Sequence, residues 1–153
     1  MTPINFYADN LLPRVPSKPK LRAFILQYIA TYNKSVYQIN FIFCKDKYLR
    51  DLNKASLNHD YNTDILTYDL SHTYNQIIAD VYISIDRVKH NAREHTVTYT
   101  NELHRVMFHG VLHLLGYNDK TDAEIAIMRK KEDELLNTYF NVPRETLVNP
   151  STT

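Results

Sequence analysis

The sequence predicts one compact domain that contains both helices and strands. From Val36 to Phe43, apolar residues alternate with other residues, a pattern typical of a half-buried strand. From Leu21 to Tyr32, apolar residues recur every three or four positions, a pattern typical of an amphipathic helix. The chain has 153 residues, 44% of them hydrophobic, which suits one core and leaves no room for a second sizeable one. We therefore predict a single domain over residues 1–153.

The first three elements are predicted to be a strand, a helix and a second strand. Ile4 to Tyr7 forms the first strand candidate, and prolines separate it from the helix. Ser17 is the expected cap of that helix, because a serine hydroxyl can accept a hydrogen bond from an unpaired N–H group of the first turn. In the second strand, alternate residues are expected to share one face: Ile39, Phe41 and Phe43.

The middle of the chain predicts a short helix, a loop and two paired strands. Asp46 is a candidate cap for the helix, and residues 53–62 are polar enough to be a loop. Residues 63–70 and 77–85 are strand candidates rich in Thr, Tyr and Ile. We expect these two strands to pair, because only a short polar segment separates them.

Three further helices are predicted. They are expected over 86–94, from Thr98 or Thr100 to residue 115, and over 122–139, with a flexible tail over 143–153. The last helix has an apolar side that one carboxylate interrupts: Ile125, Met128, Glu132, Leu135 and Leu136.

Composition limits the function classes. The formal net charge is only +1, so the overall field does not indicate a nucleic-acid partner, and any RNA contact must be local. Cys44 is the single cysteine, which excludes an intrachain disulfide and suits a buried, inert thiol in a reducing cytoplasm. We expect no membrane association and no export, because no basic start precedes an apolar stretch and about 18 apolar residues never run together.

The segment HGVLHLLGYND, over residues 109–119, carries the chemistry. His109 and His113 are four positions apart, so both imidazoles lie on one face of a helix, about one turn from each other. Gly116 can adopt the left-handed conformation that ends a helix, which lets a later side chain fold back toward the pair. Asp119 is the natural third ligand of a metal ion.

Two histidines and one aspartate suit Zn²⁺ and leave a fourth position for water, which favours hydrolysis. The alternative is that the pair is two hydrogen-bonded side chains without a metal, but the downstream glycine and carboxylate favour the metal. The spacing is also that of zinc proteases in which Glu follows the first histidine as the general base. Gly110 stands at that position, so a zinc peptidase is only a remote alternative.

The chain resembles the YbeY family of metal-dependent endoribonucleases and ribosomal RNA maturation factors, whose hallmark is HGxLHLxGYDH. Residues 109–117 match this motif, whereas Asn118 and Asp119 replace its final Asp and His. The resemblance extends over about residues 49–136. It includes Leu52 and Asn53, residues 63–68 (TDILTY), residues 79–84 (ADVYIS), Glu102, Met128 and Glu132.

The resemblance implies an α+β fold, with a small mixed sheet of about four strands covered by about five helices and a metal in a cleft beside the motif helix. Where the family carries an arginine that engages RNA phosphate, this chain has Leu57. His59 is the candidate replacement, as a phosphate contact or a general base, although it could equally be a solvent-exposed turn residue. Asp64 and Asp80 either support a ligand imidazole or serve the local backbone, and Asp80 needs a partner if it is buried.

The resemblance further implies a cytoplasmic, metal-dependent nuclease, a hydrolase that cleaves single-stranded RNA. It would act in 3′-end maturation of small-subunit (16S) rRNA and in ribosome quality control, with the ribosome or ribosomal proteins as partners. One Zn²⁺ or another divalent ion per chain is expected on His109, His113 and Asp119, and no nucleotide cofactor. The alternative is a non-catalytic ribosome-assembly factor that binds rRNA and uses the metal structurally.

Overall fold

The computed structural model describes residues 2–8, 14–57 and 63–141. Its elements in chain order are β1 (Ile4–Ala8), α1 (Lys18–Ala30), β2 (Ser35–Cys44), α2 (Asp46–Leu57), β3 (Ile65–Asp69), β4 (Gln76–Ser84), α3 (Ile85–Glu94), α4 (Tyr99–Leu114) and α5 (Asp122–Asn141). Four strands and five helices within these ranges confirm the predicted α+β fold.

The four strands form one mixed sheet in the order β1-β2-β4-β3. Strand β2 pairs in parallel with both β1 and β4, with Ile39 opposite Ile4 on one side and Ala79 on the other. Strand β3 pairs antiparallel with β4 and lies at the edge of the sheet. The predicted pairing of the two middle strands is therefore confirmed, and helix α4 contacts both of them.

One face of the sheet forms the core. The predicted inward residues of β2 are buried, together with alternate residues of β4: Ile39, Phe41, Phe43, Ile77, Ala79, Val81 and Ile83. Helix α4 packs over this face and is itself buried along most of its length, because its residues meet the sheet on one side and α5 on the other. The motif histidines are thus carried by the most enclosed helix of the fold.

Gly110 sets how closely α4 approaches the sheet. A Cβ atom at this position would lie 3.0 Å from Cδ1 of Ile65 and 3.1 Å from Cγ1 of Val81, closer than ordinary van der Waals contact. Glycine removes that clash, so the helix backbone comes close to β3 and β4. As a result, His109 lies beside the edge strand.

Two predicted caps are wrong. Ser17 precedes α1, but its backbone is left-handed (φ 54°) and its side chain makes no capping hydrogen bond. Asp46 is the first residue of α2 and does not cap it. Its carboxylate contacts Ser84 and Arg87, and its own N–H donates to Oδ2 of Asp86 at 2.8 Å. The hydrogen bonds of Asp46 are therefore made with side chains of a distant segment, whereas the sequence predicted a bond to its own helix.

Helix α2 is also longer than predicted. It continues through residues 53–57, which were expected to begin a loop, and Asn53 is buried against the rest of the fold. The remainder of that predicted loop, residues 58–62, lies outside the described residues, as does the predicted tail over 143–153.

The other helices follow the predictions closely. Thr98, one of the two expected caps, accepts a hydrogen bond from the N–H of Asn101 at 3.0 Å and begins α4. On the predicted apolar side of α5, Ile125 is 44% exposed, whereas the other four residues are buried: Met128, Glu132, Leu135 and Leu136. Cys44 is half-buried rather than buried, and burial raises its pKa to about 11, which suits an inert thiol.

Asp80 has the partner that it was expected to need. The side-chain amide of Asn40 donates to its Oδ1 at 3.0 Å. None of the helices in the described ranges is long and apolar enough to span a bilayer.

His104 is buried in an aromatic cluster between α4 and α5. Its ring stacks on Tyr139, with centroids 5.1 Å apart, and meets Phe108 and Phe140 at their edges. The Nδ1–H group donates to the carbonyl of Thr100 at 2.7 Å, and Nε2 has no hydrogen-bond partner among the described residues. Burial lowers the pKa of His104, and the positive charge of Lys20 lowers it further, against the hydrogen bond to Thr100. The imidazole is therefore held neutral in the folded state.

His104 should make the protein less stable in mild acid. The unfolded chain takes up a proton at this histidine near its ordinary pKa of about 6.5, while the folded chain resists it, so stability falls as pH drops through that value. His104→Phe should lose less stability between pH 7 and pH 5 than the wild type, measured by urea unfolding at both pH values. The exposed His72, changed to Phe, is the control and should leave the wild-type pH response intact. An unchanged pH response in His104→Phe would contradict the assignment.

Candidate metal centre

The end of α4 brings the two motif histidines together. Nε2 of His109 and Nε2 of His113 lie 2.9 Å apart, and both side chains are largely buried, at 19% and 27% exposed. Gly116 follows with φ +100°, and the N–H groups of Gly116 and Tyr117 donate to the carbonyls of His113 and Leu112. These are the two hydrogen bonds of a Schellman helix end, so the predicted left-handed turn at Gly116 is confirmed.

Asp119 returns to the two imidazoles after this turn. Its Oδ2 lies 3.2 Å from Nε2 of His109 and 3.4 Å from Nε2 of His113. A tetrahedral zinc ion with bonds of ~2.0–2.1 Å separates its ligand atoms by about 3.3 Å. The three observed separations bracket that value, so this group of side chains has the donors and the spacing to hold a metal ion.

Glu132, on α5, supports the group from behind. The Nδ1–H of His109 donates to Oε2 of Glu132 at 2.6 Å, which leaves Nε2 with a lone pair directed toward the other two side chains. Sequence reasoning noted Glu132 only as a carboxylate that interrupts an apolar stripe and as a match to the family. A buried carboxylate on an apolar helix face requires a partner, and that requirement is the signal that could have identified it.

The carboxylates around His109 favour a positive charge. Burial by itself lowers the pKa of His109, but the hydrogen bond and charge of Glu132, with the charges of Asp64 and Asp119, outweigh it and raise the pKa. Burial raises the pKa of Asp64, which lies in the same site. The carboxylate that accepts the Nδ1–H of His109 is Glu132, so Glu132 fills at this imidazole one of the two roles considered for Asp64.

The three side chains lie at one end of a groove of about 540 Å³ between α4 and the edge strand. Its walls come from β3 and the residues before it, from the end of α2, and from the turn after α4: Asn53, residues 63–67, Asp69, His109, His113, Leu114, Asp119 and Lys120. His59, the candidate catalytic residue, lies outside the described residues, so the structure does not test its role.

Comparison with known proteins identifies the family. A family model described as "Endoribonuclease YbeY" matches residues 16–140. The chain belongs to the YbeY endoribonuclease family. YbeY family members named Endoribonuclease YbeY include a Cytophaga hutchinsonii protein that is 42% identical over 134 residues, covering 88% of this chain and 94% of that protein. A second, from Flavobacterium psychrophilum, is 50% identical over 111 residues, covering 72% of this chain and 79% of that protein.

A solved structure shares the YbeY fold seen here. The solution structure of TM1509 from Thermotoga maritima matches with a TM-score of 0.54 and covers 96% of this chain and 97% of that one. Because the two sequences are only 24% identical, this likeness concerns the fold alone. The fold and family expected from the HGxLHLxGY segment are both confirmed.

Glu132→Gln should weaken metal binding about 10- to 100-fold, because the neutral amide no longer orients His109 or strengthens its lone pair. Asp133→Asn is the matched control, because Asp133 also pairs with Arg105, at 2.6 Å, but makes no contact with the imidazole in the described part of the chain. Metal affinity is measured by titration against a competing chelator, and circular dichroism verifies that both variants fold. Equal affinities in the two variants would contradict the orienting role of Glu132.

Proposed function

We propose that this chain is a metal-dependent endoribonuclease that cleaves single-stranded RNA. Its substrate is the 3′ region of small-subunit (16S) rRNA, which it matures in the cytoplasm and monitors in ribosome quality control together with the ribosome or ribosomal proteins. The whole chain, residues 1–153, works as one domain. The observation that supports this most directly is the group of two imidazole nitrogens and one carboxylate oxygen, spaced for an ion, at the end of an open groove.

The ion is proposed to be one Zn²⁺ per chain, held by His109, His113 and Asp119, although two nitrogens and an oxygen also suit Mn²⁺. When bound, such an ion neutralises charge that develops on a phosphate oxygen and makes hydroxide accessible near neutral pH. Glu132 keeps His109 in the tautomer that can bind a metal.

The groove suits an unpaired nucleotide. Its volume is within the range of about 300–1,000 Å³ that encloses a small ligand, and one nucleotide is of that size. A single strand presents separate nucleotides that can enter a groove of this volume, whereas the bases of a duplex are paired and stacked. The groove therefore favours single-stranded over double-stranded RNA.

The peptidase alternative has no support at Gly110. The general base of such enzymes would occupy this position, and even a Cβ atom there would lie 3.0–3.1 Å from Ile65 and Val81. A glutamate at this position would therefore require the side chains of Ile65 and Val81 to shift. The assembly-factor alternative retains one favourable observation, which is Leu57 at the position of the family's phosphate-binding arginine.

His113→Ala should remove metal binding and RNA cleavage together. Loss of an ion that contributes several kcal/mol to the transition state lowers the rate by roughly 100-fold or more. The assay uses single-stranded RNA that carries the 16S 3′ region, with and without chelator, and metal content is measured on the same samples. His90→Ala on α3 is the control and should cleave at the wild-type rate.

Cleavage at full rate by metal-free His113→Ala would contradict the proposal. A wild type that binds metal and rRNA but never cleaves would favour the assembly factor instead. The products also identify the nucleophile, because attack by the RNA 2′-hydroxyl leaves a 2′,3′-cyclic phosphate and a 5′-hydroxyl, whereas attack by water leaves no cyclic phosphate.

A further inference from the structure

A second cavity adjoins the metal centre and is lined by residues of α3, α4 and α5 among others. This side chamber, of about 270 Å³, is lined by Asp64, Asn91, His95, Glu102, Arg105, Val106, His109, Asp119, Arg129 and Glu132. It shares Asp64, His109 and Asp119 with the groove. Two of the three candidate metal ligands, His109 and Asp119, therefore lie where the two cavities meet, and a strand that crosses the metal centre has space on both sides.

The two arginines of the side chamber differ in how firmly they are paired. Arg105 is only 18% exposed and contacts Glu132 at 2.9 Å and Asp133 at 2.6 Å. Arg129 is 55% exposed, and its nearest contact with Glu132 is 3.4 Å long. Arg105 is thus held within the fold, whereas Arg129 can turn toward a ligand while losing only a 3.4 Å contact with a carboxylate that Arg105 already contacts at 2.9 Å.

Two of the four acidic residues that line the side chamber, Glu132 and Glu102, do not compete strongly for Arg129, and the other two, Asp64 and Asp119, line it where it adjoins the groove. Glu132 is already paired with Arg105 and with His109. Glu102 is 3% exposed, and burial raises its pKa, which favours the neutral form. Its Oε1 makes no hydrogen bond within the described part of the chain, and Nδ1 of His95 lies 3.7 Å away, too far for one. An exposed guanidinium, a partly exposed imidazole and the amide of Asn91 remain available for an anion.

We propose that Arg129 binds a backbone phosphate of the RNA next to the bond that is cleaved. The strand then runs from the groove, past Lys120, across the metal centre and into the side chamber. Two N–H groups of a guanidinium match two phosphate oxygens, which gives both attraction and orientation. Arg129 thereby supplies from α5 the cation that this chain lacks at position 57. The inference rests on the proposed endoribonuclease function.

The first test compares Arg129→Ala with Lys130→Ala in the metal-loaded protein. Lys130 is the adjacent exposed cation, and it lines neither the groove nor the side chamber as the described residues define them. Arg129→Ala should weaken binding of a single-stranded RNA roughly tenfold or more and raise KM, because a charge-assisted hydrogen bond is lost. Lys130→Ala should change binding less than about twofold, as expected for a solvated charge. Metal affinity should be unchanged in both, and Arg129→Lys should recover part of the loss.

The second test locates the contact. RNAs are made with one uncharged methylphosphonate linkage on either side of the cleaved bond, and binding is measured by fluorescence anisotropy. One of these replacements should weaken binding to the wild type and to Lys130→Ala but have no effect on Arg129→Ala, because the two losses remove the same interaction. If Arg129→Ala binds RNA normally, or remains as sensitive to both replacements as the wild type, the inference is overturned.

Cleavage by the wild type is scored separately from binding. Normal cleavage with no effect at Arg129 rejects the phosphate contact and leaves the endoribonuclease proposal intact. Absence of cleavage rejects the proposed reaction, while the binding measurements still decide whether Arg129 contacts a phosphate.

Discussion

The metal centre depends on the close approach of α4 to the sheet. Gly110 faces Ile65 and Val81 with no side chain between them, so the helix backbone lies against β3 and β4. Because His109 precedes this glycine and His113 lies one turn further along, the same contact directs both imidazoles to the edge of the sheet. The groove exists because β3 is an edge strand and its wall is open on that side. The packing of α4 on the sheet and the position of the metal centre therefore both depend on the contact that Gly110 makes with β3 and β4.

Helix α5 gives this arrangement its electrostatic character. Glu132 reaches across to His109, 23 residues earlier in the chain, and is itself held by Arg105 at 2.9 Å. A buried carboxylate without such partners would be costly, so the ion pair and the imidazole stabilise each other's position. The acidic surroundings that raise the pKa of His109 also favour a bound cation. Helix α5 thus covers part of the core and also supplies the carboxylate that orients a candidate metal ligand.

Three of the predictions that failed were made from local composition. Ser17 and Asp46 have the composition of helix caps, but the backbone of Ser17 is left-handed and Asp46 pairs with Ser84 and Arg87 on a distant segment. Residues 53–57 are polar and suggested a loop, yet α2 continues through them and Asn53 is buried. A local sequence pattern indicates only the local conformational preference of the chain. Tertiary contacts override that preference where a polar side chain has a hydrogen-bond partner on a distant segment.

The sequence by itself determined the family, the fold class and the three side chains that converge. Two histidines one helical turn apart and a glycine that reverses the chain are local features, so their geometry follows from spacing alone. Only the tertiary structure decided that Glu132 orients His109, that Arg105 is paired, and that Arg129 is exposed at a second cavity. These contacts join α4 to α5. They depend on how the two helices pack against each other, and no pattern in the residues between the helices indicates that packing.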